Sequence, residues 1–412
     1  MSTTCRSCGG EGLESVLDLG SSPIANNLLR TGDPALSNPG LEPRFPLEVA
    51  FCAGCPLVQL VDALPAEVIF SSSYPYYSSF SPMLVAHAGQ HARGLVAARD
   101  LGSGSFVVEV ASNDGYLLRA FDEHDVPVLG VDPSPGPAAA AREAGVPTLT
   151  DFFGLSLAQK IRAEHGPADV LIANNVLAHV PDLDDFVAGL AELVAPDGLI
   201  TIENPYVREL VDQCEFDTIY HEHYCYYSCT SVARLVERHG LHLNDAEFFP
   251  DLHGGTLRWH VETVPRRSRR LEDLLRTERE DGVTDASYYR GFAERVQQSR
   301  ADLLELVHGL RDEGHRIAAY GAAAKGSTLA NYVGLTTDLV DYVVDRNPHK
   351  QGMLMPGTHQ PIRPVEALVQ DKPDYVLLYA WNFAEEIMAQ QAEYLRRGGR
   401  FIRPVPTPEV LS

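Results

Sequence analysis

Phe106-Val107-Val108-Glu109-Val110-Ala111-Ser112-Asn113-Asp114-Gly115 leads through an amphipathic run into Val128-Leu129-Gly130-Val131-Asp132. The apolar residues around Glu109 read as a buried strand, Ser112 to Gly115 as a tight acidic turn, the run after it as a helix, and Val128 to Asp132 as a second strand ending on a carboxylate. That is one βαβ half of a nucleotide-binding sheet, with ligand expected at the carboxyl ends of the strands. No G-x-G-x-x-G is present, so the turn offers no glycine bed for a pyrophosphate. An acid on the first strand and a polar turn after it suit a cofactor carrying a cation, an amino-acid tail and a ribose, namely S-adenosylmethionine. Asp132, 23 residues after Glu109, is placed to take both ribose hydroxyls. The plain alternative is an ordinary α/β turn with an exposed acid. The whole spacing favours a methyltransferase-type sheet, with Glu109, Ser112, Asp114, Gly115 and Asp132 around the cofactor.

The chain has 412 residues, enough for two or three domains. No apolar run approaches ~18 residues, and the start, MSTTCRSCGG, reads as neither signal peptide nor lipidation site, so a cytoplasmic enzyme is expected. With 33 Lys+Arg against 56 Asp+Glu, nucleic acid and anionic membrane are poor partners. A nucleotide-linked substrate needs only a local basic pocket and stays open. Cys5-x-x-Cys8 and Cys52-x-x-Cys55, with 43 residues between the pairs, read as a four-thiolate zinc site. Four protein ligands leave no open position, so the zinc is expected to be structural, clamping a small amino-terminal module. Cys214, Cys225 and Cys229 lack such spacing and read as buried, inert thiols.

Residues 1–80 are expected to form the zinc module, 81–245 the cofactor-binding sheet and 246–412 a second Rossmann-like α/β unit. Between the cysteine pairs, the Ser21–Asn27 segment is a polar turn that either stays at the surface or reaches into a cleft. Tyr74, Tyr76 and Tyr77 lie among serines, which suits a ligand-facing surface and an exposed loop equally. Asp151-Phe152 follows a third strand-like element; the pair can hydrogen-bond and stack an adenine, or begin a capped helix. Val170 to Asn175 is a buried strand ending in two amides, Asn174 and Asn175, and His179 follows at the same sheet end. Tyr220-His221-Glu222-His223-Tyr224 concentrates proton-transfer groups at a cost that implies use. In an extended chain, alternation sends His221 and His223 to one face and Tyr220, Glu222 and Tyr224 to the other. Ser228 or Thr230 is expected to cap the next helix, ending at Gly240. In the last unit, the strand–turn–helix from Arg316 to Thr328 places Tyr320 and Lys325 where helix-terminal amides can hold phosphate, although the spacing is not a Walker loop. Asn382 follows a later strand.

These motifs, in this order, resemble the sugar C-methyltransferases of bacterial deoxysugar biosynthesis. The likeness spans the paired knuckles, the Tyr-Pro-Tyr-Tyr-Ser-Ser run, the Glu109–Gly115 turn, His179, the Tyr-His-Glu-His run, the His-Gly-Gly strand and the Tyr-Gly-Ala-Ala-Ala-Lys loop. The resemblance implies an S-adenosylmethionine domain in the middle and a carboxyl-terminal domain that helps hold a dTDP-linked 4-ketohexose through Tyr320, Lys325 and Asn382. It implies antibiotic-sugar biosynthesis, and active-site groups at Tyr76 (or Tyr74), His179, Tyr220, Glu222 and His223. Members acting on 3-amino sugars often carry an Asp where this chain has His221, which leaves the substituents of this sugar open. A monomer is expected.

The chemistry is sound without the name. A carbon beside a ketone loses a proton when a base is positioned and the enolate oxygen receives a hydrogen bond. His223 is the candidate base, since an imidazole with pKa near ~6.5 is half-free at working pH. Glu222 orients it, and Tyr220, Tyr76 or His179 donates to the enolate oxygen. Methylation at C3 is the reading; C5 methylation, or a nucleotide-sugar epimerase or binding protein without methyl transfer, are the alternatives.

Overall fold

The computed structural model describes residues 4–69, 77–252 and 254–412; Tyr74, Tyr76 and His253 lie outside them. The chain is mixed α/β, organised on three larger sheets. The middle sheet has seven strands in the order His242–Phe249, Thr256–Glu262, Val194–Pro205, Ala168–Asn174, Val107–Val110, Val128–Val131, Thr148–Leu149. The five strands from Val194–Pro205 onward are parallel; Thr256–Glu262 runs antiparallel to them and pairs antiparallel with His242–Phe249 in a hairpin. Val107–Val110 is buried along its whole length, as expected of a central parallel strand covered on both faces. Helix Pro82–Arg99 begins with Ser81 accepting from the Leu84 amide and Pro at its first position; it covers one face. Helix Leu183–Leu193, capped by Asp182, lays Phe186, Val187 and Leu190 on the other.

The chain leaves Val107–Val110 toward one sheet edge, then returns to Ala168–Asn174 on the other side, so strand order reverses between these two neighbours. The carboxyl-terminal sheet repeats the device. Ile317–Tyr320, Val343–Val344 and Ile362–Arg363 succeed one another toward one edge and Tyr375–Leu378 and Arg400–Arg403 toward the other, all five parallel, with Glu409–Leu411 as an antiparallel edge. The amino-terminal module is a four-stranded antiparallel sheet of Glu14–Ser22, Phe45–Cys52, Leu57–Leu60 and, from far along the chain, Cys225–Tyr226. Leu29–Arg30 pairs with Met353–Leu354, tying the module to the carboxyl-terminal unit as well. Among the described residues, no helix is long and apolar enough to cross a membrane.

Several expectations need correction. The segment after Gly115 is a 3-10 helix, Leu118–His124, because only a short link separates the two strands and Asp125 ends it in the left-handed region. A boundary at 246 cuts through His242–Phe249, and Thr256–Glu262 pairs with Val194–Pro205, so the hairpin belongs to the middle sheet. Apolar content alone does not say which sheet a strand joins. The Tyr220–Tyr224 run is not extended: the His223 amide donates to the Tyr220 carbonyl, closing a turn, so alternation does not sort its side chains. Ser228 caps the next helix, in a reciprocal pair with Ser231, and that helix is Cys229–Glu237.

Candidate active site

The two reversal points face each other across one cleft offering about 470 Å³ of space. Open α/β sheets bind ligands at such points, and here two share a single cavity. On the middle-sheet side, Asp132, Asp151, Phe152, Asn174 and Asn175 line it; on the other side stand Tyr320, Lys325, Lys350, Arg346 and Asn382. His179, Tyr220, Glu222 and His223 lie between.

The acidic turn does something other than expected. Val110, Ala111 and Asn113 of this segment line the cleft, and Glu109, Ser112, Asp114 and Gly115 adjoin them in the chain without lining it. The Asn113 side-chain Oδ1 accepts from the Ser78 amide at 2.8 Å and the Asp114 carboxylate from the Ser79 amide at 3.2 Å, so the turn grips the segment carrying Tyr77 and Phe80, which themselves wall the cleft. Burial, reinforced by Asp132 and Asp114, pushes the Glu109 carboxyl well above the usual range. Gly115 has φ +75°, and a Cβ there would meet Val146 at 2.9 Å, so only glycine fits. Ala111, at φ 58°, carries a strain of about 1–2 kcal/mol beside the site. Asp132 does face the cleft; its two oxygens accept from the Asn113 and Ser134 amides at 2.9 and 2.8 Å, which fixes the carboxylate while leaving each oxygen a further lone pair. Phe152 is 43% exposed within the cleft, where an aromatic face is open for stacking.

The Tyr-His-Glu-His turn is the densest part. His223 Nδ1 lies 2.9 Å from the Thr218 carbonyl, which only accepts, so Nδ1 carries the hydrogen and Nε2 holds the lone pair. Tyr220 Oη donates to that Nε2 at 2.8 Å. The His179 ring stands edge-on to His223, centroids 4.7 Å apart. Burial lowers the His179 pKa to about 4 against a hydrogen bond donated to the Glu222 backbone carbonyl, which favours the imidazolium, so His179 is neutral at pH 7. Glu222 is buried, with Asn26 Nδ2 2.8 Å from each of its oxygens. Thus the polar turn between the cysteine pairs does reach the cleft, a contact across 196 residues that no local pattern reveals. His221 faces the other way. Its Nε2 lies 3.2 Å from the Phe45 and Pro46 carbonyls of the amino-terminal sheet, and it does not line the cleft.

On the opposite wall, Lys325 sits over the Trp381 ring, 4.3 Å from its centroid, with Nζ buried and no hydrogen-bond partner among the described residues. Asn382 has its amide oxygen and nitrogen buried and unpaired in the same sense. Lys350, not singled out by the sequence, donates to the Ala322 carbonyl at 2.7 Å. Every described lysine and arginine lining the cleft comes from this wall.

Family models match in three consecutive blocks: a zinc-binding domain over residues 5–70, a methyltransferase domain over 88–245, and a C-methyltransferase C-terminal domain over 251–406. C-methyltransferase NovU of Streptomyces niveus is 37% identical over 99% of this chain and 96% of its own length. The chain belongs to the C-methyltransferase family. A ubiquinone biosynthesis O-methyltransferase of Azorhizobium caulinodans is 27% identical over 29% of this chain and 46% of its own length. The solved structure of magnesium protoporphyrin IX methyltransferase from Synechocystis with bound SAM is 16% identical, covers 45% of this chain and 79% of its own, and has a TM-score of 0.34.

The chain is therefore an S-adenosylmethionine-dependent methyltransferase with a structural zinc site, and its residues fit both groups. The buried Asn174 Oδ1, without a partner among the described residues, the fixed Asp132 carboxylate and the exposed Phe152 ring offer acceptors and a stacking face at one end of the cleft. The four sulfurs of Cys5, Cys8, Cys52 and Cys55 lie within 4.8 Å of one another, Cys5–Cys55 at 3.4 Å and Cys8–Cys52 at 3.6 Å. Tetrahedral Zn–S bonds of about 2.3 Å set ligands at about 3.8 Å, which these spacings match. Without a cation such crowding lets one thiol ionise at its neighbours' cost: the hydrogen bond from Cys55 draws Cys5 down to about 5, while burial lifts Cys52 to about 11.

Proposed function

We propose that this C-methyltransferase acts at C3 of a dTDP-linked 4-keto-deoxyhexose, through an enolate, in the biosynthesis of an antibiotic sugar. The observation that carries the reading is the Tyr220–His223 pair, hydrogen-bonded at 2.8 Å in a cleft with carboxylates at one end and Lys325, Lys350 and Arg346 at the other. A diphosphate belongs with the cations, and a sulfonium with the carboxylates. Bound S-adenosylmethionine supplies an electrophilic methyl group and departs as its thioether.

His223 Nε2 takes the proton from C3. Its Nδ1–H, anchored on Thr218, fixes ring and tautomer and stabilises the imidazolium that forms. His179 is unsuited to that step, because a base whose conjugate acid titrates near 4 is too weak at neutral pH, and the one hydrogen of its neutral ring goes to the Glu222 carbonyl; it packs edge-on against His223. Tyr220, released from Nε2 when the proton arrives, donates to the enolate oxygen at C4, and Tyr76 or Tyr74 is assigned to the same oxygen on resemblance. Glu222 keeps the turn in place through Asn26. Asp132, Asn174, Asn175, Asp151 and Phe152 hold the cofactor, and Tyr320, Lys325 and Asn382 the nucleotide-sugar. The main contribution is then two substrates held at near-attack distance.

A panel of dTDP-4-ketohexoses, with and without a 3-amino group, incubated with S-adenosylmethionine and analysed by mass spectrometry and NMR, tests this. A product methylated at C3 is expected. Methylation at C5, or epimerisation without mass gain, contradicts the proposal.

A further inference from the structure

We propose that Trp381 and Asp217 are positioning residues for His223, locking the turn whose carbonyl orients the imidazole to the wall that holds the anionic part of the substrate. The inference rests on His223 being the base. Asp217 lies in the 3-10 turn Phe216–Thr218 and is fully buried, with Trp381 Nε1 donating to its carboxylate at 2.6 Å. The next residue, Thr218, supplies the carbonyl that accepts from His223 Nδ1 at 2.9 Å. Trp381 follows Tyr375–Leu378 of the carboxyl-terminal sheet, so the indole joins two units 164 residues apart in sequence.

The other end of the connection is in the cleft. Trp381 presents its ring to the Lys325 ammonium, and Lys325 lines the cavity. Helix Ala324–Val333, which begins beside Lys325, packs on the same turn, with the Tyr332 ring 5.3 Å from that of Phe216. The turn is thus held by ring packing, by the Thr218 amide and hydroxyl donating to the Glu215 carbonyl, and by the Trp381 hydrogen bond, which ties it to the opposite wall. Burial pushes the Asp217 carboxyl up, while the Lys325 ammonium and the Trp381 N–H hold it down. Removing the N–H alone leaves a buried carboxylate short of a donor one residue from the carbonyl that aims His223.

Trp381→Phe and Asp217→Asn separate aiming from folding. Trp381→Phe keeps an aromatic face under Lys325, and Asp217→Asn keeps the volume. In purified full-length enzyme, each is expected to lower kcat roughly tenfold, to leave KM for the dTDP-4-ketosugar within about threefold, and to combine less than additively in the double variant. Wild-type kcat in both, or a loss confined to KM and melting temperature, overturns the proposal. His223→Asn is measured alongside. If it is inactive while Trp381→Phe and Asp217→Asn behave as wild type, only this inference falls; if it is fully active, the assignment of the base falls and this inference with it.

Discussion

The two sheets that meet at the cleft have the same architecture and opposite electrostatics. Each reverses its strand order at the cavity, yet among the described residues the middle sheet contributes Asp132 and Asp151 and no lysine or arginine, whereas the carboxyl-terminal sheet contributes Lys325, Arg346 and Lys350. Asp345 and Glu386 also line the basic wall; the Asp345 oxygens accept from the Ala322 and Asn347 amides at 2.7 and 2.8 Å, and Glu386 lies 3.8 Å from Arg346, so Lys325 and Lys350 carry most of the contrast. The difference teaches that a strand-order reversal supplies a place for a ligand, while side chains at strand ends decide its charge. A cationic donor and an anionic acceptor are sorted to opposite ends, and the groups between them act on what lies at the junction.

The largest expected effect concerns that junction. His223→Asn should lower kcat by about 10²–10⁴ while both walls keep their ligands, measured by steady-state kinetics and calorimetry. Loss of either ligand would show that the two walls are not independent of the residue between them. Next, Asp132→Ala and Lys325→Ala should give a double dissociation. The first weakens S-adenosylmethionine binding by about 10–100-fold and spares dTDP; the second does the reverse, in titrations of each ligand alone. A single variant impairing both would erase the contrast.

Zinc extraction should come third. Structural zinc contributes on the order of 10–16 kcal/mol in small modules, more than so short a module supplies from its own core. The module holds the catalytic turn in three places: Leu57–Leu60 pairs with Cys225–Tyr226, Asn26 binds Glu222, and Phe45 and Pro46 bind His221. Chelation should therefore lower kcat at least about tenfold while S-adenosylmethionine still binds the middle sheet. The smallest effect is on acid stability. Burial lowers the His91 pKa to about 3, so between about 6.5 and 3 the unfolded chain holds a proton the folded one does not, and stability falls as pH falls. His91→Leu should flatten the pH dependence of urea unfolding by about one proton in that window.

Much of this was legible in the sequence, for identifiable reasons. Central parallel strands are apolar on both faces, so Val107–Val110, Ala168–Asn174 and Val194–Pro205 stand out as runs, and metal knuckles have fixed spacing. What was hidden depends on distant partners. Asp114 looked like a cofactor ligand because it is acidic and in the right turn; that its carboxylate binds the Ser79 amide follows from tertiary packing alone. His221 and His223 have the same side chain two positions apart, and only a turn closed at Tyr220 sends one to the zinc module and the other to the cleft. The Asn26–Glu222 and Asp217–Trp381 contacts join segments 196 and 164 residues apart, beyond any local periodicity.

Hydrogen exchange at the reacting carbon tests the central claim most directly. A dTDP-4-ketohexose incubated in D₂O with the enzyme and the demethylated cofactor, which has no methyl to give, should gain deuterium at C3 by NMR, and His223→Asn should abolish the gain. Exchange at C5 alone, or equal exchange with and without the His223 imidazole, would contradict an enolate formed at C3 by that residue.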